Sequence, residues 1–174
     1  NLSSSRALRD VTEKFGGEYF AAAVGEVNVT TKMKECGALI GGEGNGGVIY
    51  PALHYGRDAM VGVALFLTNL AHKHMKVSEL LKTYPQYVIT KNRIDLSDKA
   101  LIDKILSEMQ KIYAHENVNT IDGVKISFED KKQWVHLRRS NTEPIIRIYA
   151  EAATKEEADA LANEVIGIAR KIIG

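Results

Sequence analysis

The hydrophobic pattern of this 174-residue chain changes near residue 82, and that change limits the folds it can adopt. Before this point, short apolar runs alternate with helical patterns, the order typical of an α/β layered domain. After it, the pattern predicts the order β-α-β-β-β-α, which is typical of a compact α+β domain. The sequence therefore predicts two domains, one over residues 1–82 and one over residues 83–174.

In the first domain, the spacing of apolar residues predicts a helix over 6–14 and a short strand near 19–23. A brief helix over 28–34 and a buried strand at 38–40 are expected next. A glycine-rich stretch follows, and Asp58 begins a longer helix with an apolar stripe on one side.

In the second domain, four strand candidates are expected to form a mainly antiparallel sheet, accompanied by two helices. Ser97 or Asp98 is expected to cap the first helix, and Thr154 the second. The four strand candidates cover residues 87–94, 123–128, 133–138 and 145–152.

Charge is nearly balanced, with 23 Lys and Arg against 22 Asp and Glu. This balance gives no support to a nucleic-acid or membrane partner, so any anion-binding site must be local. No signal peptide and no run long enough to span a bilayer is evident, and a single cysteine fits a reducing compartment, so we expect a cytoplasmic protein. The chain opens with Asn1 rather than Met, and we expect it to be a fragment of a longer protein.

A glycine-rich loop over residues 42–47 has the spacing GxGxxG, but its context does not fit a dinucleotide site. A helix must follow that fingerprint directly, whereas the β-like segment 48–51, closed by proline, follows here. The carboxylate of Glu43 and the amide of Asn45 suit adjacent hydroxyl groups of a sugar, and Gly44 allows close approach of the backbone. A purely structural turn explains the composition equally well.

The segment from Arg138 to Arg147 is rich in groups that donate hydrogen bonds to an oxyanion. Arginine offers a planar fork for phosphate, and turn residues present hydroxyl, amide and backbone donors. Glu143 is expected to hold Arg138 or Arg139 by pairing. The alternative is a polar turn with surface arginines. The expected phosphate-binding residues are Arg138, Ser140, Asn141, Thr142 and Arg147.

Together the two motifs resemble those of the α-D-phosphohexomutases. Residues 41–47 resemble the sugar-recognition loop of that family, and residues 138–147 resemble its phosphate-binding loop. Their order and separation are similar to those of the third and fourth domains of these enzymes. The resemblance implies an incomplete α/β/α third domain that lacks its first strand, followed by a complete fourth domain.

The resemblance also implies a function. Such enzymes are isomerases that interconvert hexose 6-phosphate and hexose 1-phosphate, of glucose or mannose, through a phosphoserine and a bisphosphate intermediate. Magnesium is held by aspartates in their second domain. By this resemblance Glu43, Gly44 and Asn45 would bind the sugar, and the donors of the 138–147 segment its phosphate. Glu26, His54 and Arg57 are weaker candidates for the same cleft.

Two features of the family are not found in this sequence. No serine lies in a phosphoserine-loop context, and no aspartates alternate as magnesium ligands would. We therefore expect no catalytic residue, no bound metal or other cofactor and no mutase activity in this chain alone. Its expected partners are a hexose phosphate and the N-terminal domains of the same polypeptide. Phosphoglucosamine mutase and a non-catalytic sugar-phosphate binding module remain alternatives.

Overall fold

A computed structural model describes residues 1–96, 98–140 and 143–173. The chain forms two compact units, Asn1–Gln86 and Tyr87–Gly174. The residue at the expected boundary, Lys82, is the C-cap of the last helix of the first unit. Within the described residues, no helix has the length and apolar character needed to cross a membrane.

The first unit combines helices with a small antiparallel sheet whose strand order is β1-β2-β3. Asp58 caps the longest helix, because its Oδ1 accepts a hydrogen bond of 3.0 Å from the Val61 N–H. The elements are α1 Ala7–Lys14, α2 Glu26–Cys36, β1 Gly41–Gly42, β2 Val48–Tyr50, β3 His54–Arg57, α3 Ala59–Lys73 and α4 Val77–Leu81.

Two strands expected in this unit are not strands in the structure. Segment 19–23 forms no ladder, although the Ala22 carbonyl accepts a hydrogen bond of 2.9 Å from the Leu2 N–H. The expected buried strand at 38–40 is also wrong, since Leu39 is 84% exposed and Ile40 56% exposed. An apolar run forms a strand only where a neighbouring strand supplies hydrogen bonds, and here pairing begins directly after the run, at Gly41.

The second unit combines two helices with a five-stranded antiparallel sheet, whose strand order is β4-β8-β7-β6-β5. The expected α/β plus α+β class is confirmed, with one strand more than the four expected. The extra strand, Asn117–Asn119, is short and contains two asparagines, which strands disfavour. Asp98 caps α5, while Ser97 lies outside the described residues. The elements are β4 Val88–Asp95, α5 Lys99–Ile112, β5 Asn117–Asn119, β6 Val124–Phe128, β7 Gln133–Arg139, β8 Ile145–Ala152 and α6 Lys155–Ile173.

One face of this sheet forms the core together with α5 and α6. Val135 and Leu137 of β7 and Ile146 and Ile148 of β8 are fully buried there. Because side chains alternate along a strand, the residues between these positions lie on the opposite face. That second face carries the polar side chains Lys91, Arg93, His136, Arg138, Arg147 and Tyr149.

The turn before β6 depends on Gly123, whose φ is +73°. A Cβ atom at this position would lie 2.2 Å from the carbonyl oxygen of Leu137 and 2.9 Å from the Cα of Arg138. Residues other than glycine rarely adopt such a φ, and the backbone of β7 cannot move without disturbing the sheet. Glycine is therefore required where this turn crosses the strand that carries Arg138.

We predict that Gly123→Ala lowers the free energy of unfolding of the second unit by about 2–4 kcal/mol, from backbone strain and overpacking. The matched control is Gly167→Ala in α6, where an added Cβ meets no atom within 4 Å. That change should stabilise the unit by about 0.5–1 kcal/mol, because alanine favours the helix. Urea unfolding followed by the emission of Trp134, the sole tryptophan, measures both. Equal effects of the two substitutions would contradict the role of Gly123.

Candidate functional site

The sugar-loop candidate is a tight turn that joins β1 and β2. The Glu43 N–H donates to the Gly47 carbonyl at 3.0 Å, and the Gly46 N–H donates to the Glu43 carbonyl at 3.1 Å. The Oδ1 of Asn45 accepts a hydrogen bond of 3.2 Å from the Gly47 N–H. The loop is therefore an ordered hairpin turn that holds the exposed Asn45 in one place.

Packing explains two of the loop's glycines. A Cβ on Gly42 would lie 2.3 Å from the Gly47 carbonyl oxygen, across the hairpin. A Cβ on Gly44 would lie 3.0 Å from the Cα of Ser4 and 3.1 Å from the Ser3 carbonyl oxygen. The structural interpretation of these glycines is thus supported, and a sugar-binding role depends on the side chains of Glu43 and Asn45.

Two carboxylates are held by hydrogen bonds near the start of α2. The Oε1 of Glu43 accepts hydrogen bonds from the Gly25 N–H at 3.0 Å and from the Asn1 side-chain amide at 2.9 Å. The next residue, Glu26, accepts from the Arg57 N–H at 3.1 Å and pairs with the Arg57 Nε at 2.8 Å. The structure therefore brings Glu43 next to two of the weaker candidates, Glu26 and Arg57. This arrangement offers oriented acceptors to hydroxyl groups.

His54 is held at the start of α3. Its Nδ1 accepts a hydrogen bond of 3.0 Å from the Gly56 N–H, so Nε2 carries the proton and donates to the Asp58 Oδ2 at 3.1 Å. The hydrogen bond from the Val61 N–H, and then the one from His54, lower the pKa of the Asp58 carboxyl. These contacts explain His54 as a support for the helix cap, and its role toward substrate stays a prediction.

Three arginines form a row on the face of the second sheet that lies opposite the core. Arg147 of β8 lies directly opposite Arg138 of β7 on one side and Arg93 of β4 on the other. Like charges placed directly opposite one another on neighbouring strands repel. Such a row favours the binding of an anion, which would relieve the repulsion.

Arg138 is supported from the turn that precedes β6. Its Nε lies 3.3 Å from the Oδ2 of Asp122, and both side chains are about one-fifth exposed. The Asp122 carbonyl in turn accepts a hydrogen bond of 2.6 Å from the Nε2 of His136. With Gly123 packed against the Arg138 backbone, this turn fixes the position of the guanidinium.

The expectation that Glu143 holds one of the two adjacent arginines is wrong. Arg138 pairs with Asp122, and Arg139 pairs with Asp103 of α5. The reason is strand alternation, which directs Arg138 and Arg139 to opposite faces of the sheet and toward different partners.

The loop between β7 and β8 is closed by its backbone. The Ser140 N–H donates to the Ile145 carbonyl at 3.0 Å, and the Ile145 N–H donates to the Glu143 carbonyl at 2.9 Å. Ser140 is half-buried beside the ends of the strands that carry Arg138 and Arg147. Asn141 and Thr142 lie outside the described residues, so their roles stay predictions.

Sequence reasoning missed Lys91 and Arg93. They border a depression of about 410 Å³ whose lining residues are Lys91, Asn92, Arg93, Glu143, Ile145, Arg147 and Tyr149. Lys91, Arg93 and Asp95 share one face of β4, because side chains alternate along a strand. Only the register of β4 with β8 places them beside Arg147.

Comparison with known proteins shows the family of this chain. A family model described as phosphoglucomutase/phosphomannomutase, alpha/beta/alpha domain III, matches residues 1–87. A second model, the C-terminal domain of phosphoglucomutase/phosphomannomutase, matches residues 92–168. The chain belongs to the phosphoglucomutase/phosphomannomutase family. The resemblance of its two loops to the α-D-phosphohexomutases is therefore confirmed at the level of the family.

Relatives within the family match over most of this chain. A phosphoglucosamine/phosphogalactosamine mutase of Sulfurisphaera tokodaii is 36% identical, over 94% of this chain and 36% of its own length. A phosphoglucomutase/phosphomannomutase of Thermococcus kodakarensis is also 36% identical, over 90% of this chain and 34% of its own. The crystal structure of a family protein from Burkholderia thailandensis has a TM-score of 0.76 and 27% identity, over 98% of this chain and 36% of that one. The chain thus spans about a third of the length of the relatives it matches.

Magnesium is the metal that the family resemblance implies. Across the described parts of the chain, no three side chains of His, Cys, Asp or Glu are grouped as a metal site would require. The carboxylates near the two loops are instead used by backbone N–H groups and arginines, as with Glu43, Glu26 and Asp122. We assign no magnesium ligand to these residues.

His136 makes the stability of the second unit depend on pH. Burial lowers the pKa of His136 to about 4, against the opposing effect of its hydrogen bond to Asp122. The unfolded chain titrates this histidine near 6.5 and so binds more protons between pH 4 and 6.5. Its contribution is therefore complete above about pH 6.5 and is lost as pH falls toward 4, a decrease of about 3 kcal/mol.

We predict that His136→Gln, which keeps an N–H donor, flattens the pH dependence in this window. Urea unfolding followed by Trp134 emission at several pH values between 4.5 and 7.5 measures the difference from the wild type. Parallel stability curves for the two proteins would show that His136 does not control the acid limb.

Proposed function

We propose that this chain is the sugar-recognition and phosphate-binding part of a phosphohexomutase that interconverts hexose 6-phosphate and hexose 1-phosphate. Family membership over both matched domains supports the proposal. The observation that carries it is the pairing of Arg138 with Arg147 across β7 and β8, next to a loop closed by Ser140 and Ile145. Two guanidinium groups and the donors of that loop fit one phosphate group.

In this proposal each part of the chain has one binding role. Residues 1–82 bind the sugar through Glu43 and Asn45, with Gly44 allowing close approach and Glu26 and Arg57 in support. Residues 83–174 hold the phosphate that is not being transferred. Oriented donors that hold this phosphate also fix the orientation of the rest of the sugar. The free energy of phosphate binding is thereby used to position the reacting end of the substrate.

The phosphoserine and the magnesium site belong, in the same proposal, to the N-terminal domains of the same polypeptide. Magnesium supplies electrostatic stabilisation of the transferred phosphoryl group in such a reaction. This chain contributes no group that exchanges a phosphoryl group, so we expect it to bind a hexose phosphate without converting it. The parent enzyme would be an isomerase of the cytoplasm.

We propose a hexose phosphate as the substrate. The resemblance of the two loops to the α-D-phosphohexomutases favours the phosphates of glucose and mannose. Phosphoglucosamine mutase is an equally good alternative, because relatives carry both kinds of name. A protonated amino group on the sugar would donate a charge-assisted hydrogen bond to the Glu43 carboxylate. Competition between glucose 6-phosphate and glucosamine 6-phosphate for the wild type and for Glu43→Gln distinguishes the two substrates.

The second alternative is a non-catalytic sugar-phosphate binding module. The activity of the longer protein, of which we propose this chain to be a part, distinguishes this module from a mutase. That protein should interconvert glucose 1-phosphate and glucose 6-phosphate, or the glucosamine equivalents, in the presence of magnesium. Binding without any interconversion by the longer protein would favour the module over the mutase.

We predict that Arg138→Ala weakens binding of glucose 6-phosphate to the 174-residue chain by about tenfold or more, from the loss of charge-assisted hydrogen bonds. The matched control is Arg139→Ala, because Arg139 lies one residue away, faces the other side of the sheet and pairs with Asp103. That variant should bind within about twofold of the wild type. Isothermal calorimetry measures the dissociation constants, and Trp134 emission confirms that each variant is folded.

If the two alanine variants weaken the binding of glucose 6-phosphate equally, Arg138 does not belong to the site. The effect is then explained by the loss of one positive charge. Arg138→Lys separates the fork geometry from charge, since lysine keeps the charge and loses the bidentate contact. We expect it to recover only part of the lost affinity.

A further inference from the structure

We propose that Arg93 of β4 is a further phosphate-binding residue, which adds a third arginine to Arg138 and Arg147 on the far side of β8. This inference rests on the proposed function, because it places the same phosphate group. It starts from strand register, since Arg93 and Arg147 are directly paired on β4 and β8. Side chains of paired residues lie on the same face, about 5 Å apart at Cβ.

The space beside this pair has the size of a ligand site. The depression of about 410 Å³ has Arg93 and Arg147 on its walls, with Lys91 and Tyr149 two pairs further along the same two strands, on the same face. Lys91 Nζ lies 5.5 Å from the centre of the Tyr149 ring, a cation–π contact between two lining residues of the depression. The walls thus present two planar guanidinium groups, one ammonium group and one phenol to the same volume.

Charge in the depression favours an anion. Three of its lining residues are cationic, Lys91, Arg93 and Arg147, and one is anionic, Glu143. Phosphate carries about two negative charges near neutral pH, so it is attracted by this excess. Glu143 opposes binding in part, and without Arg93 the remaining excess is a single positive charge. Arg93 therefore makes a large contribution to the local field.

The existing partner of Arg93 does not prevent this role. The Arg93 Nε lies 3.5 Å from the Oδ1 of Asp95, and the two side chains are 62% and 71% exposed. An exposed ion pair of this length contributes little stability, so a phosphate group can compete for the guanidinium. Arg138 differs in being nearly buried against Asp122, which makes it the fixed element of the row and Arg93 the accessible one.

The test compares phosphate binding by Arg93 variants of the 174-residue chain. The probes are inorganic phosphate, glucose 6-phosphate and uncharged glucose, each titrated by calorimetry at two salt concentrations. We expect Arg93→Ala to raise the dissociation constants of both phosphates about five- to tenfold and to reduce their salt dependence, without affecting glucose. Arg93→Lys should recover part of the loss, and Arg139→Ala should change neither phosphate by more than about twofold.

The outcomes separate this inference from the proposed function. If Arg138→Ala weakens phosphate binding and Arg93→Ala does not, the proposed role of Arg93 is wrong. The proposed binding of phosphate by Arg138 and Arg147 is then still supported. If Arg93→Ala and Arg139→Ala weaken binding equally, the effect is general charge and the role of Arg93 is again wrong. If the wild-type chain binds neither phosphate, both the inference and the proposed function fail. Folding is not at issue for Arg93, because its side chain is exposed and outside the core.

Discussion

The position of β8 between β4 and β7 is the constraint on which the second unit depends. The core face of β8 packs Ile146, Ile148 and Ala150 against the helices, so its register cannot slip without moving these residues to the other face. The same register sets Arg147 between two arginines. Apolar burial on one face therefore holds together cations that would repel one another on the other face. The stability of the core and the capacity to bind phosphate are two consequences of one strand pairing.

Support for the charged row comes from one neighbouring turn. Asp122 neutralises Arg138 with its side chain and accepts from His136 with its backbone, while Gly123 lets the turn approach β7 closely. A guanidinium held in this way loses little freedom when a ligand binds, which is the physical meaning of preorganisation. The first unit uses the same principle with opposite charge, since Glu43 and Glu26 are oriented by the backbone at the start of α2 and by Arg57.

The sequence predicted what depends on local chemistry. Alternating and helical patterns located most strands and helices, and the donors between Arg138 and Arg147 indicated an anion site without any coordinates. The sequence did not predict contacts between segments that are distant along the chain. Arg93 became a candidate only through the β4–β8 register, and Asp122 replaced Glu143 as the partner of Arg138 because β6 lies next to β7. The exposure of Leu39 shows the same limit, since an apolar run does not reveal what covers it.

We propose above all that the arginine row on the face of the second sheet opposite the core binds a phosphate group. The most direct measurement records the ¹H–¹⁵N spectrum of the 174-residue chain, including guanidinium Nε–H signals, as glucose 6-phosphate is added. We predict saturable shifts of the Arg138 and Arg147 Nε–H signals and of the Ser140 amide signal, with the Arg139 signal unchanged. Shifts confined to residues 1–86, or spread evenly over exposed lysines, would contradict it.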